Sequence, residues 1–286
     1  MDNAYDFLSA RPKEFKQLSA KGVLFLHYVC PQVEKYMTLF NHYNQINFTL
    51  GGEKIFHHGY QTRMLTQHST LFLKKCAWKQ EIGTTKWETL SFYIPDSFIY
   101  RYFRENRQHW PRRPLLAPST DVFIDIKVNG VIRAFVNSLL PFFTQQPEPP
   151  EDLLETKFKE LMFHILANPH NSALLAYIND MCDQHKTPIS EVMEENYHFN
   201  LSISDFARMA ERSVTTFKRD FLQHYGTSPG KWLTAKRLGY AKVLLDTTDK
   251  SVSDIAVDSG FENVTHFSRV FKENYALSPM QQRKKN

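Results

Sequence analysis

One pattern occurs twice near the C-terminus of this chain of 286 residues, and it constrains the fold more than any other feature. A Ser-x-Ser-Asp-x-Ala segment at Ser202–Ala207 recurs at Ser251–Ala256. A longer segment, which spaces two phenylalanines and a tyrosine at intervals of one helical turn before Ser-Pro, occurs at Phe217–Pro229 and again at Phe267–Pro279. Each copy predicts a short capped helix, a tight turn and a second helix, which is the order of elements in a helix-turn-helix.

The second predicted helix of each copy carries a polar face beside its aromatic face. Side chains three and four positions apart share one face of a helix. On this spacing the polar faces consist of Thr215, Lys218 and Arg219 in the first copy and Thr265, Ser268 and Arg269 in the second. Arginine can bond bidentately to guanine, and hydroxyl groups can reach base edges. We therefore predict two DNA-reading units, at about 202–226 and 251–276.

A single helix is predicted between the two copies. Ser228 is a good N-cap and Pro229 suits the first helical position, and the helix runs to about Asp246. Its apolar positions are Trp232, Leu233, Leu238, Ala241, Leu244 and Leu245. Roughly 18 residues at 1.5 Å each give about 27 Å, close in scale to one turn of DNA at about 34 Å. A stiff spacer of this length would hold two reading helices in register with adjacent grooves.

Further marks follow in order along residues 188–283. They are Phe217-x-Arg219-x-Phe221, Gly226-x-Ser228-Pro229, Lys236-Arg237-Leu238, Asp254-Ile255-Ala256, Gly260-Phe261 and Phe267-Ser268-Arg269. Together they resemble the DNA-binding domain of AraC/XylS-type transcription regulators. The resemblance implies base contacts from Thr215, Lys218, Arg219, Val264, Thr265, Ser268 and Arg269, with Asn263 at the start of the second reading helix. It also implies a cytoplasmic regulator, more often an activator, with promoter DNA and RNA polymerase as partners.

The two copies depart from the family pattern in different ways. Glu211 stands where the family has a turn glycine, which Gly260 retains. If that turn needs a positive φ, Glu211 costs about 1 kcal/mol. Leu222 replaces a common basic residue, and Gln282 replaces a common aromatic one. Val264 offers only an apolar contact. We expect the first copy to bind DNA less tightly than the second, or Leu222 to contact another domain.

The N-terminal half shows short apolar runs typical of strands. They are Val23–Val29, Ile46–Leu50, Thr70–Lys75 and Glu88–Ile94. Gly51 and Gly52 indicate a hairpin after the second of them. These runs predict a small β-barrel or sandwich.

Helical patterns begin after about residue 97. Residues 131–140 and an apolar stripe at 153–165 predict helices that pack on the barrel or pair with a second copy of the chain. This element order resembles the cupin-like sensor and helical dimerisation segments of the same family. The overall prediction is an α+β chain with a sensor and dimerisation domain at 1–182 and a DNA-binding domain at 183–286, joined by the polar linker Asp183–Pro188.

The same resemblance implies control by a small ligand held in the barrel or by a regulatory protein. Four strand aromatics are candidates for lining a pocket, although aromatic residues in strands more often belong to a core. They are Trp78, Trp87, Phe92 and Tyr93.

Bulk properties exclude some classes of protein and leave others open. Net charge is only +5, so charge alone does not identify a DNA-binding protein. Neither a membrane span nor a signal peptide is predicted. The three cysteines are widely spaced, which fits a reduced compartment and supports neither a disulfide framework nor a zinc site.

Two rival functions remain at this stage. A cupin-type metal enzyme would need several ligands on one face, but His57 and His58 are adjacent and point to opposite faces of a strand. The sequence also lacks a nucleotide-binding glycine loop and a nucleophile elbow, so we expect no enzyme activity, no metal and no cofactor. The other rival is an architectural protein that binds DNA without sequence preference.

Overall fold

A computed structural model describes residues 1–30, 35–83, 86–110, 117–184 and 188–284. The chain divides into two compact units, residues 2–186 and 187–286. The predicted linker Asp183–Pro188 includes residues 185–187, which lie outside the described residues. The predicted division between residues 182 and 183 stays a prediction.

The N-terminal unit contains two β-sheets. The first sheet has five strands in the order β1-β4-β9-β6-β7, namely β1 (Asp2–Asn3), β4 (Tyr36–Phe40), β9 (Ala77–Ile82), β6 (Lys54–His58) and β7 (Gln61–Leu65). The second sheet has six strands in the order β11-β8-β5-β10-β3-β2, namely β11 (Phe123–Asp125), β8 (Thr70–Leu73), β5 (Asn44–Gly51), β10 (Glu88–Ile94), β3 (Val23–Val29) and β2 (Lys16–Ala20). The strands predicted at Val23–Val29 and Glu88–Ile94 have those bounds.

Five α-helices and three short 3₁₀ helices complete the described part of this unit. The α-helices are α1 (Ala4–Ser9), α2 (Asp96–Glu105), α3 (Gly130–Leu139), α4 (Glu151–Ala167) and α5 (Ser172–Gln184). The α4 stripe is part of the intrachain core, because Phe158 is fully buried and stacks on Phe92 of β10 with 5.1 Å between ring centroids. Leu153, predicted as part of that stripe, is exposed instead.

The strands form a sandwich and not a closed barrel. Among the described residues, no strand of the first sheet pairs with a strand of the second. An apolar cluster lies between the sheets, with Phe56 and Trp78 from the first sheet and Leu71 and Leu73 from the second. The predicted order of strands followed by helices is confirmed, with this open arrangement of the sheets.

The hairpin predicted at Gly51 and Gly52 is wrong. The strand before these glycines, β5, belongs to the second sheet, and the strand after them, β6, belongs to the first. The segment therefore carries the chain from one sheet to the other. Gly52 has φ +75°, and a Cβ there would clash with the carbonyl oxygen of Lys86. A close approach of two backbones, and not a hairpin turn, accounts for the glycine.

The C-terminal unit is entirely helical in its described part. Its helices are α6 (Ile189–Asn196), α7 (Ile203–Met209), α8 (Val214–Tyr225), α9 (Pro229–Thr247), α10 (Val252–Asp258), α11 (Val264–Tyr275) and α12 (Pro279–Arg283). Helices α7 and α8 form the first helix-turn-helix, and α10 and α11 form the second. The spacer helix α9 begins at the predicted proline.

Candidate nucleic-acid interface

Serine side chains fix the start of both helix-turn-helix units. Ser202 Oγ accepts the N–H of Asp205 at 3.2 Å, and the Asp205 carboxylate accepts the N–H of Ser202 at 2.9 Å. In the second copy Ser251 Oγ accepts the N–H of Asp254 at 3.0 Å. These bonds satisfy N–H groups that a helix leaves unpaired in its first turn. The first helices therefore begin at equivalent positions.

The turns between the paired helices have the same backbone conformation. Glu211 has φ 52° and Gly260 has φ 83°, both in the left-handed region. In each copy the next residue donates its N–H to a carbonyl oxygen of the preceding helix at 2.9 Å. The turn thus requires the positive φ expected from the sequence, and Glu211 adopts it despite its Cβ.

The aromatic residues of α8 and α11 hold these helices in place. Phe217, Phe221, Phe267 and Phe271 are fully buried, as their spacing predicted. The side chain of Ser213 caps α8 by accepting the N–H of Thr216. Asn263 caps α11 in the same way, with a bond of 2.9 Å from the N–H of His266.

The polar faces opposite these aromatics lie at the protein surface. Thr215, Lys218 and Arg219 are exposed on α8, while Thr265 and Arg269 are exposed and Ser268 is half-buried on α11. Val264 differs from the rest, because it is half-buried against the apolar cluster of the second copy. The structure thus gathers three predicted contact residues on each reading helix and leaves Val264 mostly to packing.

Both reading arginines are paired with carboxylates on their own helices. Arg219 donates two bonds to Asp220, at 3.0 and 3.2 Å, and Arg269 donates one bond to Glu273 at 2.7 Å. The bonds from Arg219 hold the pKa of Asp220 below its usual value. Exposed ion pairs of this kind contribute little to stability. Both guanidinium groups can therefore exchange a carboxylate for a base or phosphate at small cost.

The spacer helix α9 is anchored by a half-buried arginine, which the sequence analysis named only as part of a family mark. Arg237 donates to the carbonyl oxygens of Tyr197 at 2.7 Å and Phe199 at 2.6 Å, in the segment that precedes the first copy. Burial lowers its pKa to about 10, which leaves it charged at neutral pH. A Cβ at Gly260, in the second copy, would lie 2.8 Å from Arg237 Nε. The guanidinium group of Arg237 therefore ties α9 to the segment before the first copy and leaves no room for a side chain at Gly260.

A cavity of about 100 Å³ lies between the two sheets of the N-terminal unit. Three of the four aromatic candidates, Trp78, Trp87 and Tyr93, line it. Phe92 does not, which corrects that part of the prediction. Successive residues of a strand point to opposite faces of the sheet, so Phe92 lies with Phe158 in the helical core. Lys54, which the sequence analysis passed over, also lines the cavity.

The adjacent histidines of β6 have separate partners. His57 bonds to Thr62 and is half-buried, whereas the buried His58 bonds to the carbonyl oxygen of Ala77. Within the described ranges, no group of three or more His, Cys, Asp or Glu side chains is placed to hold a metal ion. Among the described residues, Cys30, Cys76 and Cys182 take part in no disulfide. None of the helices in the described part of the chain has the length and apolar character that a membrane crossing needs.

The fold and the paired helix faces define a two-domain protein with tandem helix-turn-helix units. Two known families match it: residues 44–177 match the ExsA N-terminal regulatory domain, and residues 206–285 match a helix-turn-helix domain.

The chain is also similar to individual proteins. The virulence regulon transcriptional activator VirF of Yersinia enterocolitica is 24% identical over 243 residues, which cover 82% of this chain and 86% of VirF. The transcriptional regulator ExsA of Pseudomonas aeruginosa is 30% identical over 136 residues, 48% of this chain and 49% of ExsA. The solved DNA-binding domain of AdpA, in complex with a target DNA, is 31% identical, covers 34% of this chain and 90% of its own, and has a TM-score of 0.32.

The chain thus carries an ExsA-type N-terminal regulatory domain followed by an AraC-type helix-turn-helix domain. It is a DNA-binding transcription regulator with an N-terminal regulatory domain.

Proposed function

We propose that this regulator activates transcription by reading two adjacent major grooves of a promoter, one with α8 and one with α11. The observation that carries the proposal is the repetition of one exposed polar face on two helices joined by a single anchored spacer. The proposed contact residues are Thr215, Lys218 and Arg219 on α8 and Asn263, Val264, Thr265, Ser268 and Arg269 at α11. Different side chains on the two faces, above all Lys218 against Ser268, favour recognition of an asymmetric site.

Activation and its control extend this proposal to partners. Activation is supported by the description of VirF as a transcriptional activator. As an activator, the protein would have RNA polymerase as a partner and would act in the cytoplasm, where its promoter lies. The N-terminal unit would answer to a small molecule or a regulatory protein, and a second copy of the chain is a further candidate partner. We propose no enzymatic reaction.

Selection from a random duplex library tests the proposal with the full-length protein. The bound DNA should contain two conserved blocks whose centres are about 10–10.5 base pairs apart, because each reading helix occupies one groove. Competition with bulk DNA at physiological salt should leave the selected duplexes bound. Binding without any preference would indicate an architectural protein and would overturn the proposal.

Matched variants connect each block to one helix. Arg219→Ala should relax base preference in one block, and Arg269→Ala in the other. Arg104→Ala removes an exposed arginine of α2 in the N-terminal unit and should leave both blocks intact. If both reading variants relaxed the same block, the assignment of one groove to each helix would be wrong.

A further inference from the structure

The turn of the second helix-turn-helix is buried, whereas the turn of the first lies at the surface. Ser259 and Phe261, on either side of Gly260, are both buried. Glu211, which occupies the equivalent position in the first copy, is exposed. A Cβ at Gly260 would lie 3.0 Å from the carbonyl oxygen of His198, so the backbone of His198 lies against the second turn. This difference in cover accounts for a glutamate at one turn and a glycine at the other.

The residue that covers the second turn belongs to the segment that leads into the first copy. Residues 197–199, which we call the bridging segment, join the end of α6 to the region before the capping residue Ser202. The segment packs along the spacer helix α9, because the rings of Tyr197 and His198 lie 6.1 and 6.0 Å from the ring of Tyr240. The bridging segment is thus continuous with the first copy, packs on the spacer and reaches the turn of the second copy.

Arg237 of α9 holds the bridging segment in this position. Its Nε donates to the carbonyl oxygen of Tyr197 at 2.7 Å, and its Nη2 donates to that of Phe199 at 2.6 Å. A Cβ at Gly260 would lie 2.8 Å from the same Nε. A charged donor forms stronger hydrogen bonds than a neutral one, and the planar guanidinium group presents its donors in a fixed geometry. The group therefore lies where the spacer, the bridging segment and the second turn meet.

The bridging segment is a second connection between the two reading units. Two units joined by one helix alone can bend or twist at both ends of that helix. A second connection, held by hydrogen bonds on the spacer, restricts this relative motion. A pair of reading helices that is ordered before binding loses less conformational entropy on DNA than a flexible pair. The protein, and not the DNA, then sets the separation of the grooves that it can read.

We propose that Arg237 is a positioning residue for DNA recognition. By holding the bridging segment against the second turn, it fixes the separation of α8 and α11. The spacing between the two DNA blocks thereby becomes part of the specificity. The inference rests on the proposed function, because spacing matters only if each reading helix binds its own block.

Binding of the full-length protein to duplexes of altered spacing tests this role. The probes are the selected two-block site and two derivatives, with one base pair added or removed between the blocks. Each change moves one block by about 3.4 Å along the DNA axis. The wild type should bind the derivatives about tenfold or more weakly than the selected site, since one helix then misses its bases. We call this ratio of affinities the spacing penalty. Equal binding of the wild type to all three duplexes would overturn the proposal.

Arg237→Gln tests the junction itself, because it removes the charged donors and keeps a polar side chain. Its spacing penalty should fall to about threefold or less, since a flexible pair of helices adapts to the altered duplexes. The penalty compares affinities of one preparation, so a smaller folded fraction does not change it. Arg283→Gln is the matched control, because Arg283 is also half-buried and donates to the carbonyl oxygen of Lys250, at the start of the second copy. The control should keep the wild-type penalty, and an undiminished penalty in Arg237→Gln would contradict the proposal.

A second pair of variants disturbs the junction from the side of the turn. Gly260→Ala places a methyl group against Arg237 and His198 and should also lower the spacing penalty. Gly226→Ala is its control, because Gly226 has a similar positive φ of 67° but, in the described part of the chain, open space around the added Cβ. This control should keep the wild-type penalty. An undiminished penalty in Gly260→Ala would contradict the proposal even if Arg237→Gln does not fold.

The same duplexes separate this inference from the proposed function. A wild-type protein that selects two blocks at several spacings would overturn the positioning role alone. Failure to select any two-block DNA would overturn the proposed function, and the positioning role with it.

Discussion

The two helix-turn-helix units reach one backbone geometry through different side chains. In the first, the turn residue Glu211 is followed by Arg212, whose Nε lies 3.4 Å from Oδ2 of Asp220 on the reading helix. In the second, Gly260 is followed by Phe261, whose ring packs 5.1 Å from that of Phe267. An ion pair therefore stands in the first copy where an apolar contact stands in the second. Duplicated sequences can keep a fold while exchanging the forces that hold it.

At the C-terminal ends of the reading helices, the glycine lies in the first copy and the residue with a side chain lies in the second. Helix α8 is capped by Gly226 with φ 67°, whereas α11 is capped by Ala276 with φ 61°. Each copy thus has a glycine at one of its two left-handed positions and a side chain at the other. The strain that the sequence analysis placed only in the first copy is present in both, at opposite ends.

The largest expected difference between the copies is the loss of stability when equivalent residues of α9 and α12 are replaced. Trp232 is half-buried, with its ring 5.4 Å from that of Tyr225, while the matching Gln282 donates to Asp246 at 2.8 Å. Trp232→Ala should destabilise the protein by about 2–4 kcal/mol through lost packing, and Gln282→Ala by about 1 kcal/mol through a lost hydrogen bond. Urea unfolding measures both, with the exposed Gln223→Ala as the control. Unchanged stability of Trp232→Ala would refute the packing of the spacer on the first copy.

The next difference concerns base recognition by the two arginines. Arg219→Ala and Arg269→Ala should each cost about 1–3 kcal/mol of binding and relax preference at one base position. We expect the larger loss for Arg269, because Arg219 has to leave two bonds to Asp220 before it reaches DNA. Fluorescence anisotropy on the selected site and on its single-base variants measures this. An equal loss on every sequence would mean that the arginine contacts only phosphate.

Exchanging residues at the left-handed positions tests the distribution of strain. Glu211→Gly and Ala276→Gly should each stabilise the protein by at most about 1 kcal/mol, and Gly226→Ala should destabilise it by a similar amount. Gly260→Ala should cost more, since its Cβ would lie 2.8 Å from Arg237 Nε. Thermal unfolding of the four variants provides the comparison. If neither Glu211→Gly nor Ala276→Gly changed the stability, the turns would impose no measurable strain.

The smallest expected effect is a change in the salt dependence of DNA binding, which reports contacts with phosphate. Leu222 is exposed on α8 at the position that Lys272 occupies on α11. If both positions face the DNA backbone, Leu222→Lys should steepen the dependence of binding on salt by about 0.9 in the log–log slope, and Lys272→Leu should reduce it by as much. Binding isotherms at several salt concentrations measure the slope. Identical slopes for wild type and both variants would place these side chains away from phosphate.

Local signals in the sequence were sufficient to predict the reading units. Capping serines, the prolines after them and aromatic residues one turn apart act within a few residues of each other. The helices therefore begin and end close to the predicted positions, and the face of Thr215, Lys218 and Arg219 is exposed as expected. The roles of these residues on DNA stay predictions, because the partner that would define them is another molecule.

Contacts between segments that lie far apart in the sequence could not be predicted from local patterns. The alternation in β5 predicts one apolar and one polar face, but only the second sheet and its helices decide that both faces are buried. Lys54 lies two residues before Phe56 on β6, so the two side chains share one face of the strand. This spacing was the sequence signal that Lys54 points inward. Arg237 likewise binds carbonyl groups that lie far away in sequence.

The sequence by itself determined the tandem reading units and their spacer, because helix caps, turns and periodic aromatic faces depend on neighbouring residues. Only the tertiary structure decided that the strands form an open sandwich, that each copy strains a different turn, and that the ammonium group of Lys54 is buried between two sheets. These features depend on which surfaces meet, and burial changes the energy of a polar or charged group only after they have met.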